Sequence, residues 1–277
     1  MGIRIVSDSS SDCGEMAGFD YVTVPLKIMF ASHEYVDEPG IDCEKMMSDL
    51  YAHRGPSTTS CPNVHDWLQA FEGSDEVFGV TISSGLSASY ESAIMAAQQH
   101  RSVNPGARVH IFDSHATGPV LRLIIEKLCE QIEAGKSYSE IKLKTIQYQK
   151  RIRILYSLES LENLARNGRV NTHVARFAKA LNIRVVGHAS DEGTVELLHK
   201  CRGDNRALKA IVEEMTNRGY ASGKVHIDHC LNAVLAAKLK GMIEEVFPLA
   251  QVEIHPCGAL CSYYADKGGL IVGYEVD

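Results

Sequence analysis

Val77-Phe78-Gly79-Val80-Thr81-Ile82-Ser83-Ser84-Gly85-Leu86-Ser87 runs from a nearly unbroken apolar segment into a loop rich in hydroxyls. A short apolar run bounded by turn residues reads as a strand covered on both faces, the condition found in parallel sheets. Helical spacing over residues 86–99 makes the whole unit strand, loop, helix. The same unit recurs on either side. Residues 3–7, 21–26 and 109–112 are strand-like, and 43–52, 64–71 and 120–133 are helical. Such alternation predicts a parallel sheet with helices on both faces. Ligands of these sheets sit at the carboxyl ends of the strands. Three polar loops fall there: Asp8–Asp12, Ser83–Ser87 and Asp113–Thr117.

The second half has a different rhythm. Residues 152–158, 183–188, 194–199, 225–227, 252–255 and 270–274 are strand-like, with helices near 160–165, 172–181, 206–216 and 233–246. Asp191-Glu192-Gly193 between two strands predicts a hairpin turn. The fold class expected is α/β: an N-terminal parallel-sheet domain over residues 1–150, carrying the polar loops, packed on a smaller α+β domain over 151–277.

At 277 residues the chain is near the length at which cores divide. Its 45% hydrophobic and 23% charged residues are those of a globular protein, which excludes disordered and fibrous classes. With 28 basic against 35 acidic residues the net charge is −7, so a nucleic-acid partner is not expected. No apolar stretch approaches the ~20 residues of a transmembrane segment. The N-terminus reads as a strand and not a secretion signal. Eight cysteines without a repeating spacing read as reduced thiols, so the expected location is cytoplasmic.

Several segments carry candidate chemistry. The serine loop at Ser83–Ser87, with free N–H groups at a helix N-terminus, suits a carboxylate or phosphate; ordinary helix capping is its plain alternative. Pro56-Ser57-Thr58-Thr59-Ser60-Cys61-Pro62 is a second hydroxyl cluster, with Ser60 or Asn63 able to cap the following helix. Asp8-Ser9-Ser10-Ser11-Asp12 invites comparison with a phosphatase loop, but Ser10 stands where that loop needs its second aspartate. No glycine-rich phosphate loop is present. His226, His229, Cys230, His255, Cys257 and Cys261 form one metal-like constellation. The paired spacing of a zinc ribbon is missing, so strand and loop residues are expected there and no metal. Arg169 and Arg202 each lie beside a turn glycine, where solvated surface charge is the plain reading. No Gly-x-Ser-x-Gly elbow accompanies the serines, and His115 just beyond Asp113-Ser114 does not make a triad by adjacency.

Taken in order, these segments resemble the DegV family. The resemblance rests on the opening strand with its Asp-Ser loop (Ile3–Asp12), Val24-Pro25-Leu26-Lys27, the Pro56–Pro62 segment with Cys61 where the family has glutamine, and Ser83–Ser87 followed by Tyr90 and Ser92. It continues through Leu161-Glu162-Asn163-Leu164, Gly168-Arg169 and Arg202-Gly203, and so covers essentially the whole chain.

The resemblance implies a non-catalytic lipid-binding protein. It would hold one long-chain fatty acid such as palmitate, stearate or oleate between its domains, and present it to a separate fatty acid kinase. No cofactor is implied beyond that ligand. Thr59 and Ser84 would be the main carboxylate ligands, supported by Thr58, Ser83 and Ser87, with Arg169 near the polar network and Arg202 docking the kinase. Burying ~15 methylenes gains on the order of 10 kcal/mol before ordering costs, enough for tight binding. The family's C-terminal histidine is replaced by Tyr264, a neutral hydrogen-bonding group near pH 7. Asp266 would add negative charge near the headgroup unless Lys267 offsets it. The alternative from another class is a metal-dependent or serine hydrolase of small esters.

Overall fold

β1 (Arg4–Asp8) lies within a four-stranded parallel sheet, between β2 (Asp20–Val24) and β6 (Glu76–Thr81), with β7 (Arg108–Asp113) beyond β6. This computed structural model describes residues 2–53, 55–171 and 182–276. Alternate side chains of the sheet enter different cores. Val6, Val24 and Val77 face α2 (Val64–Phe71) and α3 (Ser89–Val103), around Trp67 and Phe71. Ile5, Phe78 and Val80 face α4 (Pro119–Glu133) and α5 (Tyr138–Gln149). Asn63 starts α2 through a reciprocal capping box with Asp66, as one of the two capping options predicts.

The strand expected over 21–26 ends at Val24. Pro25, which has no N–H to give a ladder, separates it from β3 (Lys27–Phe30). β3 pairs antiparallel with β4 (His33–Val36) on one side and β5 (Ser57–Ser60) on the other. The hydroxyl cluster at 57–60 is therefore a strand, and α1 (Cys43–Ala52) bridges β4 and β5 in the chain.

The second half forms a six-stranded sheet in the order β10 (Val195–Arg202), β9 (Ile183–Ala189), β8 (Ile152–Leu158), β13 (Leu270–Glu275), β11 (Gly223–His229), β12 (Ala250–Pro256). Only β11 and β12 run parallel. One face is covered by α7 (Asp204–Asn217) and α8 (Ala233–Val246), whose stripe of Leu235, Leu239 and Ile243 is buried. The other face packs on α4. Leu123 and Ile124 thus share one apolar cluster with Ile5 and Phe78 of the first sheet and Ile154 and Ile271 of the second. α6 (Glu162–Arg166) follows β8, and α9 (Ala259–Ala265) lies between β12 and β13. The helix expected over 172–181 lies outside the described residues.

The hairpin turn at 191–193 occurs as predicted and rests on the serine loop. A Cβ on Gly85 would lie 2.6 Å from the Glu192 carbonyl oxygen, and one on Gly193 would collide with Ser83 Oγ. Glycine at both positions lets the two backbones meet.

Candidate functional site

The three loops at the carboxyl ends of the parallel strands are knitted together. Ser83 N–H donates to the Ala116 carbonyl (2.8 Å) and Gly118 N–H to the Ser10 carbonyl (2.8 Å). Asp8, buried at the end of β1, accepts the Ile82 N–H (2.9 Å) and the hydroxyls of Ser89 (2.7 Å) and Ser10 (2.5 Å). Burial raises its pKa while these donors pull it back. Asp8 is a cross-brace for the strand ends, its oxygens occupied by the protein's own donors.

Beside this edge lies a cavity of about 300 Å³ between the two sheets. Its apolar wall draws on both halves of the chain: Leu26, Ile82 and Leu86 from the first, Ile154, Leu158 and Ile271 from the second. Tyr156 adds its ring while its hydroxyl donates to the Glu196 carbonyl (2.6 Å). Among the described residues Arg169 is the only charged one in the wall.

A polar group gathers at one part of this wall. Thr59 Oγ1 and Tyr264 Oη are 2.7 Å apart, and Ser60, Ser87 and Arg169 line the cavity with them. Arg169 is fixed by its Nε–H to the Leu86 carbonyl (3.0 Å) and by an Nη1 hydrogen bond to the Asn167 carbonyl. Burial lifts the Tyr264 pKa, opposed by the Thr59 contact and by the charge of Arg169. Tyr264 is thus a neutral phenol near pH 7, able to donate to an anion.

Behind Tyr264, the Tyr263 hydroxyl meets Ser57 (2.7 Å) and accepts from Asn167 Nδ2 (2.9 Å), while Asn163 Nδ2 donates to the Tyr263 carbonyl (2.7 Å). β5 and α9 are therefore pinned at two adjacent points, Ser57 to Tyr263 and Thr59 to Tyr264. The strand pattern places Ser57 and Thr59 on one face and Thr58 on the other, exposed.

Of the residues expected at the ligand, Thr59, Ser87, Arg169 and Tyr264 share the cavity wall; Thr58, Ser83 and Ser84 are placed outside it. The serine loop also differs from a helix N-terminus with open amides. Leu86 and Ser87 N–H both donate to the Ser83 carbonyl, Gly85 N–H to Ser83 Oγ, and Ser84 N–H to Asp113. The helix itself begins only at Ser89. Asp266 points away from the cavity, its carboxylate accepting from the Tyr51 hydroxyl and the Lys267 N–H. Arg202 is exposed at the end of β10. Ser114 donates to the Ala116 carbonyl and is not held by His115.

Thr117, from the third polar loop, and Cys261, from the metal-like constellation, are not expected at the ligand, yet both line the cavity with their side chains 3.5 Å apart. Deeper behind Cys261 lie Asp12 and Asp228, whose carboxylate oxygens have no hydrogen-bond partner among the described residues. Burial first, then the neighbouring Asp228 carboxylate, holds Asp12 well above the ordinary carboxyl range. The upward shift disfavours a second negative charge behind this part of the wall. All eight cysteines carry free thiols. Among the described residues no helix is long and apolar enough to cross a membrane.

The family described as "Uncharacterised protein, DegV family" matches residues 2–276. A DegV domain-containing protein of Streptococcus pneumoniae is 36% identical over 278 residues, covering 99% of each chain. Two solved structures superpose over 100% of each chain with a TM-score of 0.97. One is a DegV family protein from Eubacterium eligens loaded with heptadecanoic acid, 40% identical. The other is the Streptococcus pneumoniae Fatty Acid Kinase (Fak) B3 protein loaded with linoleic acid, 36% identical.

Proposed function

The chain belongs to the DegV family, and from that premise we propose that it binds one long-chain fatty acid in the cavity between its two sheets. It acts as the non-catalytic carrier that presents this ligand to a separate fatty acid kinase. The observation that carries the reading is the composition of the wall: an apolar cavity whose one charge among the described residues, Arg169, stands with the Thr59–Tyr264 hydroxyl pair. A fatty acid needs that division. Its chain gains on the order of 0.8 kcal/mol per buried methylene, and its carboxylate needs charge-assisted donors once it leaves water.

Thr59, Tyr264 and Arg169 hold the carboxylate, with Ser87 in reach of the same polar wall. Thr58, Ser83 and Ser84 support the strand and loop that carry them. The likeness to a loaded Fak B3 protein over the whole chain supports the kinase partnership, with the exposed Arg202 on the docking face.

Native and denaturing mass spectrometry of the purified protein tests this. The expected result is an added mass equal to one fatty acid, lost on denaturation, and restored when palmitate or oleate is given to delipidated protein. Thr59→Val combined with Arg169→Ala is expected to lose that mass while the circular dichroism spectrum is kept. Delipidated, folded wild-type protein that takes up neither palmitate nor oleate overturns the reading.

A further inference from the structure

At the far edge of the six-stranded sheet, β11 and β12 pair in parallel with His226 opposite Glu253 and Asp228 opposite His255. Residues two apart on a strand share a face, so Glu253 and His255 stand together beside His226. His226 Nδ1 is 3.2 Å from His255 Nε2, and Glu253 Oε2 is 3.9 Å and 3.5 Å from those two nitrogens. A tetrahedral metal with bonds of ~2.0–2.2 Å sets its donors roughly 3.3–3.6 Å apart. The three edges bracket that spacing.

We propose that His226, Glu253 and His255 form a binding site for a divalent transition metal of the zinc type. Two imidazoles and one carboxylate suit such an ion, and three protein ligands leave a position for water. The burial is graded in the manner this requires. The side chain of His226 is 2% exposed, that of His255 25% and that of Glu253 66%, so the open position faces solvent.

The surroundings fit as well. A metal on Nδ1 leaves the proton of His226 on Nε2, and Glu126 Oε1 of α4 is 3.1 Å from that nitrogen. It lies off the direction of an Nε2–H bond, so this buried nitrogen has an ion-pair neighbour but no aligned hydrogen bond. Lys224 Nζ holds Glu126 in place at 2.9 Å. A simple imidazole–imidazole hydrogen bond accounts for the 3.2 Å contact but gives Glu253 no part. None of the three ligands lines the lipid cavity, so the site stands apart from it.

The test is titration of reduced, chelator-stripped full-length protein with Zn²⁺ against a chromophoric competitor. One equivalent is expected to bind, with Co²⁺ giving visible bands of nitrogen and oxygen coordination and no thiolate charge transfer. His255→Ala, at a partly exposed position, is expected to weaken binding by ~100-fold or more, and Glu126→Gln by ~10–100-fold. Cys61→Ser leaves the affinity unchanged. Unaltered affinity in folded His255→Ala, a thiolate band in the Co²⁺ form, or no stoichiometric binding by wild type overturns the proposal.

Discussion

Asp37 accepts the backbone N–H of Ala259 at 2.7 Å, a contact between residues 222 apart in sequence. Its second oxygen accepts the Leu260 N–H at 3.2 Å. Between them these bonds seat the first turn of α9, the helix that presents Tyr264 to the cavity. Asp37→Ala leaves two buried donors unpaired and is expected to cost roughly 2–4 kcal/mol of stability. Urea unfolding checks the loss, and fatty-acid affinity should fall with it, because Tyr264 is positioned by the helix so released.

The same carboxyl has a pH signature. Burial pushes Asp37 up to about 6, against the Ser9 hydroxyl and the two N–H groups that favour its charged form. A raised acid binds its proton more tightly in the folded chain than in the unfolded one. Its contribution is complete below the ordinary value near 4 and declines as pH rises through 6. Wild type is therefore expected to lose stability relative to Asp37→Asn between pH 4 and 7, by up to about 3 kcal/mol. A flat difference between the two unfolding profiles contradicts this.

Tyr264→Phe and Thr59→Val each remove one hydroxyl from the polar part of the cavity wall, and each is expected to weaken fatty-acid binding ~10-fold. Arg169→Ala removes the only charge that the described residues bring to the wall and is expected to cost ~10–100-fold. Tyr264→His is the informative exchange. An imidazole there becomes cationic below its ordinary pKa of ~6.5, so binding should tighten as pH falls from 8 to 6, unlike the wild type. Isothermal titration at the two pH values reads this directly.

Ile154 projects from β8 into the apolar wall. Ile154→Phe fills part of the cavity and should move the preference toward shorter chains, at ~0.8 kcal/mol for each methylene excluded. Competition between C14 and C18 acids on the delipidated variant measures the change.

The parallel strands were open to reading because a strand buried on both faces needs apolar residues at nearly every position, and 77–82 supplies them. α8 is equally plain from Leu235, Leu239, Met242 and Val246 at helical spacing, although the stripe ends early: Met242 is partly buried and Val246 is exposed. β5 was not, for Ser57–Ser60 is all hydroxyl and becomes a strand by pairing with β3, Thr59 opposite Ile28. α9 hides for a similar reason, its capping acid lying at Asp37. Thr59, Arg169 and Tyr264, which the cavity wall brings together, stand out in the sequence only through the family pattern. Ser84 lies outside the cavity wall, and the partner its amide takes, Asp113, comes from another loop that its own segment does not reveal. His226 and His255 looked like ordinary strand residues; parallel pairing of β11 with β12 makes them neighbours.

The placement of β13 in the middle of the second sheet, against α4, bears on how the chain comes off the ribosome. Residues up to 149 hold all the strands of the first sheet, yet one flank of α4 stays uncovered until β8, β11 and β13 assemble. At ~5–20 residues per second, the ~120 residues from Gln149 to Leu270 take roughly 6–24 s to synthesise. For that interval the side of α4 that later packs on Ile271 has no central strand to cover it, so an apolar flank of the first half waits on the last strand of the second.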